Sequence, residues 1–429
     1  MIDPRVCEGM RQDWNRRARE DANYYVAFGR RDQDDAEFFA TAADVVRNLT
    51  RELHRLPRGD VRSRRALEIG CGPGRLMLPM SRYFGDIHGV DISDDMIRLA
   101  KEKLRDIPHA YASVTSGADL AGFADESFDF VYSYAVFQHI PSRDVVFNYL
   151  SEALRVLKPG GVLRCQINGL PEAAARYDTW NGVRISAEDL VALARKRDFQ
   201  LLAIEGVSTQ YMWMTARKTP RARKREPAIA ARIRRITNAH SSEPVAPCRG
   251  RFASISLWME NLPAECDLPD LRAFIGQEEG SVFYVGPPEA DGLQQLNVTL
   301  PEKVPTGLRT LRLEWLGHPV CPDGVLRVIR PGPVVPRILS VTDGIDLLSG
   351  TRITSGTLKV TVDEIDRPED LTATVAGRPL VEAEVFCVDP VPPRHEVNLT
   401  LPEALAPGIH LLELTLGRRR FAPVALEIV

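Results

Sequence analysis

The stretch Ala66-Leu67-Glu68-Ile69-Gly70-Cys71-Gly72-Pro73-Gly74 constrains this chain more than any other. Ala66 to Ile69 read as a buried strand, and three glycines at alternate positions let the backbone turn sharply and come close to a ligand with its N–H groups. A helix over Arg75–Phe84 is expected next. The following apolar run, Ile87 to Val90, ends in Asp91, a carboxylate at a strand tip that can accept from both hydroxyls of a ribose. Strand, glycine turn, helix, strand and acid in this order make a Rossmann-type layout and point to a nucleoside-carrying cofactor. The third glycine falls one residue early for G-x-G-x-x-G, and Arg75 stands where that fingerprint wants glycine. A nicotinamide-dependent oxidoreductase is therefore not expected.

The rest of the first half alternates helical and strand patterns, which implies a parallel sheet covered on both faces. Apolar residues from Phe38 to Leu56 recur at helical spacing. Ser93 and Ser142 are placed to cap helices, and Ser186-Ala187-Glu188-Asp189 has the form of a capping box. Strands are expected at Phe128–Ser133, Val162–Ile167, Gln200–Glu205 and Thr209–Ala216, with Lys158 to Gly161 as a turn. At 429 residues the chain exceeds one ordinary core, and more than one domain is expected.

Residues 217–235 then hold nine Lys or Arg against one acid, Glu226. Attraction to an anionic surface competes here with a solvated hinge. The hinge is favoured because aromatic residues for base stacking are absent. Beyond it come short apolar segments broken by Pro and Gly, and they repeat. Leu296-Asn-Val-Thr-Leu-Pro301 answers to Val397-Asn-Leu-Thr-Leu-Pro402, and Gly307 to Leu313 answers to Gly408 to Leu414. The period of about a hundred residues suits two tandem β-sandwiches of immunoglobulin type.

A net charge of −3 gives no global reason to expect nucleic acid or membrane. Seven scattered cysteines, odd in number and without a C-x-x-C pair, fit reduced thiols in a cytoplasmic protein. No run approaches the roughly 20 apolar residues of a transmembrane helix. The eight histidines form no metal-ligand spacing with Cys, Asp or Glu, so no metal is expected.

Glu-x-Gly-x-Gly-x-Gly with its downstream Asp resembles the cofactor motif of class I S-adenosylmethionine (SAM) dependent methyltransferases of type 11. Asp125-Glu126-Ser127-Phe128-Asp129 and Leu157-Lys158-Pro159-Gly160-Gly161 continue the likeness over about half of the chain. The resemblance implies an α/β Rossmann-like domain with a doubly wound, mostly parallel seven-stranded sheet over 1–218. A basic linker at 219–229 and two all-β sandwiches at 230–331 and 332–429 would follow. The sandwiches resemble the immunoglobulin-like IPT/TIG modules.

By that resemblance the cofactor is SAM and the product S-adenosylhomocysteine. Glu68, Gly70, Cys71, Gly72 and Gly74 would lie at its amino acid end, and Asp91 would hold the ribose. Ile92, Met96, Asp119, Leu120 and Tyr134 would surround the remainder of the molecule. A turn cap is the competing role for Asp119 and core packing for Met96.

Methyl transfer from a sulfonium asks a protein mainly for alignment, exclusion of water and removal of the acceptor proton. His139, just past the fourth strand, is the candidate base; hydrogen bonding within its loop is the competing role. Tyr24, Tyr25, Trp180 and Tyr211 are candidates for an acceptor pocket, with residues 18–26 as a lid. The reading is a methyltransferase for a small-molecule or glycan-like acceptor, at oxygen because no Asn/Asp-Pro-Pro-aromatic sequence follows the fourth strand. The sandwiches would recruit the acceptor or a protein partner, and nucleic acid is not expected. The alternative is a non-catalytic SAM-binding scaffold whose sandwiches mediate protein or glycan interaction.

Overall fold

The computed structural model describes residues 3–27, 31–172, 176–224, 230–250, 252–332, 335–365, 367, 370–389, 394–402 and 405–429. They gather into two compact units, one of residues 1–15 and 42–332, the other of 16–41 and 333–429. In chain order the first elements are α1 (Pro4–Ala27), α2 (Asp35–Ala40), α3 (Ala43–Glu52), β1 (Arg65–Ile69), α4 (Met77–Met80), β2 (Asp86–Asp91) and α5 (Asp94–Lys103). They continue with β3 (Ala110–Val114), β4 (Phe128–Ser133), α6 (Arg143–Val156), β5 (Leu157–Ile167), α7 (Ala187–Arg197), β6 (Gln200–Glu205) and β7 (Met212–Arg217).

Strands β1 to β7 pair in the order β3-β2-β1-β4-β5-β7-β6, parallel except that β7 runs against both β5 and β6. Alternation along the strands feeds two cores. Ala66, Phe130 and Tyr132 face a layer with Leu49 of α3, Met77 of α4 and Ile97 of α5. Leu67, Ile69 and Val131 face the other layer, with Val146 and Leu150 of α6 and Leu190 of α7. The sheet is thus covered on both faces, as the apolar strands required.

The caps form where the sequence placed them. Ser93 Oγ accepts from Met96 N–H at 3.1 Å and Ser142 Oγ from Val145 N–H at 3.4 Å, while Ser186 and Asp189 complete a reciprocal box. The helix expected at Arg75–Phe84 shrinks to α4 and a 3₁₀ turn at Ser81–Tyr83. Pro79 supplies no N–H there and its ring crowds the preceding turn. The turn expected at Lys158–Gly161 is absorbed into β5 as an irregularity, with register passing from Phe128↔Leu157 to Phe130↔Val162 and Gly160 at φ 79°.

Nine strands follow in the first unit: β8 (Arg232–Asn238), β9 (Val245–Pro247), β10 (Ser254–Glu260), β11 (Leu271–Ile275), β12 (Glu278–Pro288), β13 (Gln294–Thr299), β14 (Gly307–Trp315), β15 (His318–Pro319) and β16 (Gly324–Ile329). One layer pairs β8-β10-β13-β12, the other β11-β14-β16-β9. This all-β module is joined to the α/β sheet. Tyr284 of β12 bridges Ala203 of β6 in antiparallel register, Leu268 N–H donates to the Leu201 carbonyl at 2.9 Å, and Gln200 Nε2 donates to the Ala264 carbonyl at 3.1 Å. One apolar cluster runs through both parts, from Leu201 and Ile204 to Leu262, Leu268 and Leu271. An edge strand otherwise open to pairing is thereby covered.

Two cations of the basic stretch are not solvated, although Arg223, Lys224, Arg232, Arg234 and Arg235 are exposed. Arg221 is 6% exposed; its Nε lies 2.6 Å from Asp267 Oδ2, and its guanidinium also pairs with Asp270. Lys218 Nζ donates to the carbonyls of Arg155 and Leu157 at 3.1 and 2.7 Å. Residues 225–229, with Glu226, lie outside the described residues.

In the second unit the strands Arg337–Asp343, Thr357–Asp363, Arg394–Thr400 and Val381–Asp389 form one layer. The other contains Arg352–Ile353, Val424–Ile428, Gly408–Leu416 and Leu371–Val375. Leu358, Val360, Val397, Leu412 and Leu426 fill its core. The pairing repeats that of β8 to β16, so the duplicated sequence encodes a duplicated all-β fold.

Candidate active site

The chemistry-bearing residues meet at the carboxyl ends of β1, β2, β4 and β5, the edge at which open α/β sheets hold ligands. Gly70, Gly72 and Gly74 all take positive φ, at 71°, 51° and 87°. At Gly70 a Cβ would come within 2.3 Å of Val136 Cγ2, so only glycine fits the turn. The N–H groups of Gly70 and Cys71 donate to the Val90 carbonyl at 2.7 and 3.0 Å, and that of Gly72 donates to Asp91 Oδ2 at 3.0 Å. These donors are tied within the protein, against the expectation that they face a ligand; the loop offers close backbone approach on a preorganised frame.

Asp91 Oδ1 accepts from Ser93 N–H at 2.9 Å, so backbone groups hold both oxygens of the carboxylate. Burial raises the Asp91 pKa, opposed by these backbone donors. Glu68 lies beneath the loop, 3% exposed, and accepts from Tyr132 Oη at 3.0 Å. Burial pushes its pKa up to about 8 against the pull of the Tyr132 bond and Arg75.

Arg75 is buried, and its guanidinium carbon sits 5.5 Å from the Tyr134 ring. Tyr134 stacks on Trp213, centroids 5.4 Å apart at 11°, and lies 6.5 Å from Tyr211 at 22°. Beneath Trp213, at 4.7 Å from its ring, lies Arg164, fully buried and held by Glu205 at 2.9 Å, by Asn48 and by Thr215. Sequence reasoning gives Arg75 and Arg164 no site role and, for Trp213, favours core packing over a place facing the acceptor cleft. An arginine inside the apolar strand Val162–Ile167 is the signal that could have found Arg164.

The other expected cofactor residues flank the same edge. Ile92 is half-buried and Met96 is 1% exposed. Leu120 is buried, and its N–H donates to Glu152 Oε2 at 3.2 Å. Asp119 Oδ1 accepts from Ala121 N–H at 3.1 Å, which is the turn-capping geometry.

Past β4 the chain makes a tight turn, with Ala135 at φ 56°, and enters a 3₁₀ turn at Phe137–His139. His139 is 7% exposed. Its Nδ1 lies 3.1 Å from the Thr179 carbonyl and its Nε2 3.2 Å from Gln138 Nε2. Trp14 meets the imidazole edge to face at 5.5 Å, and Trp180, half exposed, lies 6.2 Å away.

The covering segment comes from the start of α1, where residues three and four apart share a face. Arg11 pairs with Asp94 at 3.4 Å and donates to the Thr115 carbonyl at 3.3 Å; Asn15 Oδ1 accepts from Ser93 Oγ at 2.6 Å; Thr179 Oγ1 donates to Asp13. Sequence reasoning placed the lid at residues 18–26 instead. Tyr24 and Tyr25 belong to the other compact unit, where their rings pack edge to face at 5.3 Å under Arg31, and they are not counted with this site. Past the end of β5 a cleft of about 390 Å³ opens between Arg143, Gly169, Arg184, Asp189 and Val207, lined by none of the site residues above. Among the described residues no group of His, Cys, Asp and Glu is arranged to hold a metal ion, and no helix is long and apolar enough to cross a membrane.

Strand order, a glycine turn after β1 and an acid ending β2 give the layout of a class I SAM-dependent methyltransferase domain. The buried carboxylate at the tip of β2 beside a loop closed to Cβ atoms fits a nucleoside with an amino acid tail, the chemistry of SAM.

Residues 67–165 match the family model "Methyltransferase domain". The chain is similar to phosphoethanolamine N-methyltransferase 2 of Caenorhabditis elegans, 28% identical over 34% of this chain and 34% of that protein. It is also similar to the ubiquinone biosynthesis O-methyltransferase of Rhizobium etli, 35% identical over 26% of this chain and 44% of that one. It thus spans between a third and a half of these relatives' length. A solved structure of magnesium protoporphyrin IX methyltransferase from Synechocystis PCC 6803 with bound SAH aligns over 49% of this chain and 98% of that one, at 15% identity and TM-score 0.36.

Proposed function

We propose that the protein transfers the methyl group of SAM to an oxygen of a small-molecule or glycan-like acceptor. The division is 1–218 for catalysis, 219–229 as connector, and 230–331 and 332–429 as immunoglobulin-like modules that recruit the acceptor or a partner. The observation that carries the reading is the convergence of Asp91, the Gly70–Gly74 turn and His139 on one sheet edge. Bound SAM supplies an electrophilic methyl carbon. Asp91 holds the ribose, while Glu68, Gly70, Cys71, Gly72 and Gly74 seat the amino acid end; Ile92, Met96, Asp119, Leu120 and Tyr134 enclose the rest. Trp14, Trp180 and Tyr211 wall the acceptor side and exclude water, and the cleft at Arg143 and Arg184 gives the acceptor room. His139 takes the acceptor proton.

The matched relatives include both an O- and an N-methyltransferase by name. Oxygen is favoured here because the turn after β4 reads Ser133-Tyr134-Ala135-Val136, without the proline pair common at amino-group sites.

Calorimetric titration with SAM and S-adenosylhomocysteine tests the cofactor half. Both ligands should saturate one site, Asp91→Ala should weaken them at least tenfold, and NAD should give no heat. Absence of SAM binding would sink the proposal; binding without turnover across an acceptor screen would favour the non-catalytic scaffold.

A further inference from the structure

The surroundings of His139 fix more than its position. Gln166, at the end of β5, is fully buried. Its Oε1 accepts from Ala135 N–H at 2.9 Å, and its Nε2 donates to the Gln210 carbonyl. A backbone N–H can only donate and a carbonyl can only accept, so these two contacts leave one orientation for the amide. The second N–H of Gln166 then points to Gln138 Oε1, 3.1 Å away. That fixes the second amide in turn, and Gln138 Nε2 must donate to His139 Nε2 at 3.2 Å. At the far side of the ring the Thr179 carbonyl accepts, so Nδ1 carries the proton.

The turn that presents this chain is held from both sides. Ala135 takes a positive φ that costs a non-glycine residue energy, and Gln166 secures its N–H. Gly182 donates its N–H to the Gln138 carbonyl at 2.8 Å, and a Cβ there would lie 2.5 Å from that oxygen, so only glycine lets the Thr179 loop approach.

We propose that Gln166 and Gln138 are positioning residues that hold His139 as the neutral Nδ1–H tautomer, leaving Nε2 as the nitrogen that receives the acceptor's proton. The proposal rests on the methyltransferase reading above. The amide N–H of Gln138 occupies the place of the acceptor hydroxyl and gives way to it. In the step that follows, the acceptor O–H bond breaks and its proton moves to Nε2. With SAM bound, the oxygen pair would form the bond to the methyl carbon, and the pair of the broken C–S bond would stay on sulfur. The same network makes the opposite tautomer costly, since a proton on Nε2 would set N–H against N–H and leave Nδ1 facing a carbonyl without a hydrogen between them.

The test is nitrogen NMR of the full chain labelled in its histidine rings, with the His139→Gln variant identifying the His139 signals. The expected wild-type spectrum has a protonated Nδ1 and an unprotonated Nε2. Gln138→Glu replaces the donor facing Nε2 with an anionic acceptor and should draw a proton onto Nε2 while the Thr179 carbonyl keeps the one on Nδ1, so that both nitrogens give protonated, imidazolium resonances. Gln166→Ala should release the lock and give averaged signals. A wild-type Nε2–H tautomer, or signals unmoved in both variants, overturns the relay. Turnover separates the two readings: an intact relay with His139→Gln retaining full kcat would refute the base and leave SAM binding untouched, whereas loss of SAM binding in the wild type would refute the methyltransferase reading itself.

Discussion

The two all-β modules descend from one pattern, yet only their frameworks match. Leu271 pairs with Trp315 as Leu371 pairs with Leu416, and the following N–H, from Leu316 or Gly417, donates to the Asp270 or Asp370 carbonyl at 3.2 Å in both. Four positions before each leucine the copies diverge: buried Asp267 meets Arg221, whereas Arg367 is exposed and pairs with Asp370 at 3.5 Å. Opposite Asn297 stands Tyr284, 6% exposed with the guanidinium carbons of Arg51 and Arg55 at 5.3 and 5.4 Å from its ring; opposite Asn398 stands Glu384. Framework hydrogen bonds and core alternation make a module. A few replaced side chains make the first copy part of the α/β sheet.

That contrast is open to direct attack. Arg221→Ala strands Asp267 in a buried site and should cost about 4 kcal/mol at pH 7.5, the scale for breaking a buried pair. Burial raises the Asp267 pKa to about 6 even against Arg221, so the loss should shrink at pH 5 as the carboxyl takes up a proton. Denaturant unfolding at the two pH values measures both numbers. Tyr284→Ala removes a buried aromatic side chain from the joint and should cost about 3 kcal/mol, with faster proteolysis near residues 218–224 as the second readout.

Glu68→Gln probes another buried carboxylate of the first unit. With a folded pKa of about 8 against an ordinary value of 4.5, the folded state binds the extra proton between these values, so stability falls as pH rises through that window. The glutamine variant should lack this slope, which is at most about 1.4 kcal/mol per pH unit. Asp343 of the second unit has the opposite sign. Burial raises its pKa, but backbone donors at Ile345, Asp346 and Thr354 prevail and lower it, so its contribution is lost only as pH falls below the ordinary carboxylate range. Arg367→Ala, at the position matching Asp267, should change stability by no more than about 0.5 kcal/mol, and a larger loss would show that the matched positions are not so different after all.

Much of the α/β half was legible because its signals are local. Glycines that need positive φ, a carboxylate at a strand tip and serines three residues ahead of a helical N–H announce themselves within a few positions. The tandem modules were legible through repetition. What the sequence hid was distant partnership. Arg221 looked like one more solvated charge because Asp267 lies 46 residues away. The covering face of α1 was sought around Tyr24 rather than Trp14, since helical spacing says which residues share a face and not which face meets a site. Gln166 sat in an apolar run as an unexplained polar residue, and its meaning came from Ala135, Gln138 and Gln210, contributed by two other segments.

The bridge between Tyr284 and Ala203 bears on where this chain can be cut. Its sequence invites division near residue 218, yet a protein ended there would present β6 with unpaired backbone groups and the apolar surface of Leu201 and Ile204, the conditions under which sheets of separate molecules join edge to edge. A fragment carrying the α/β sheet should therefore keep residues 230–332, whose strands cover that edge.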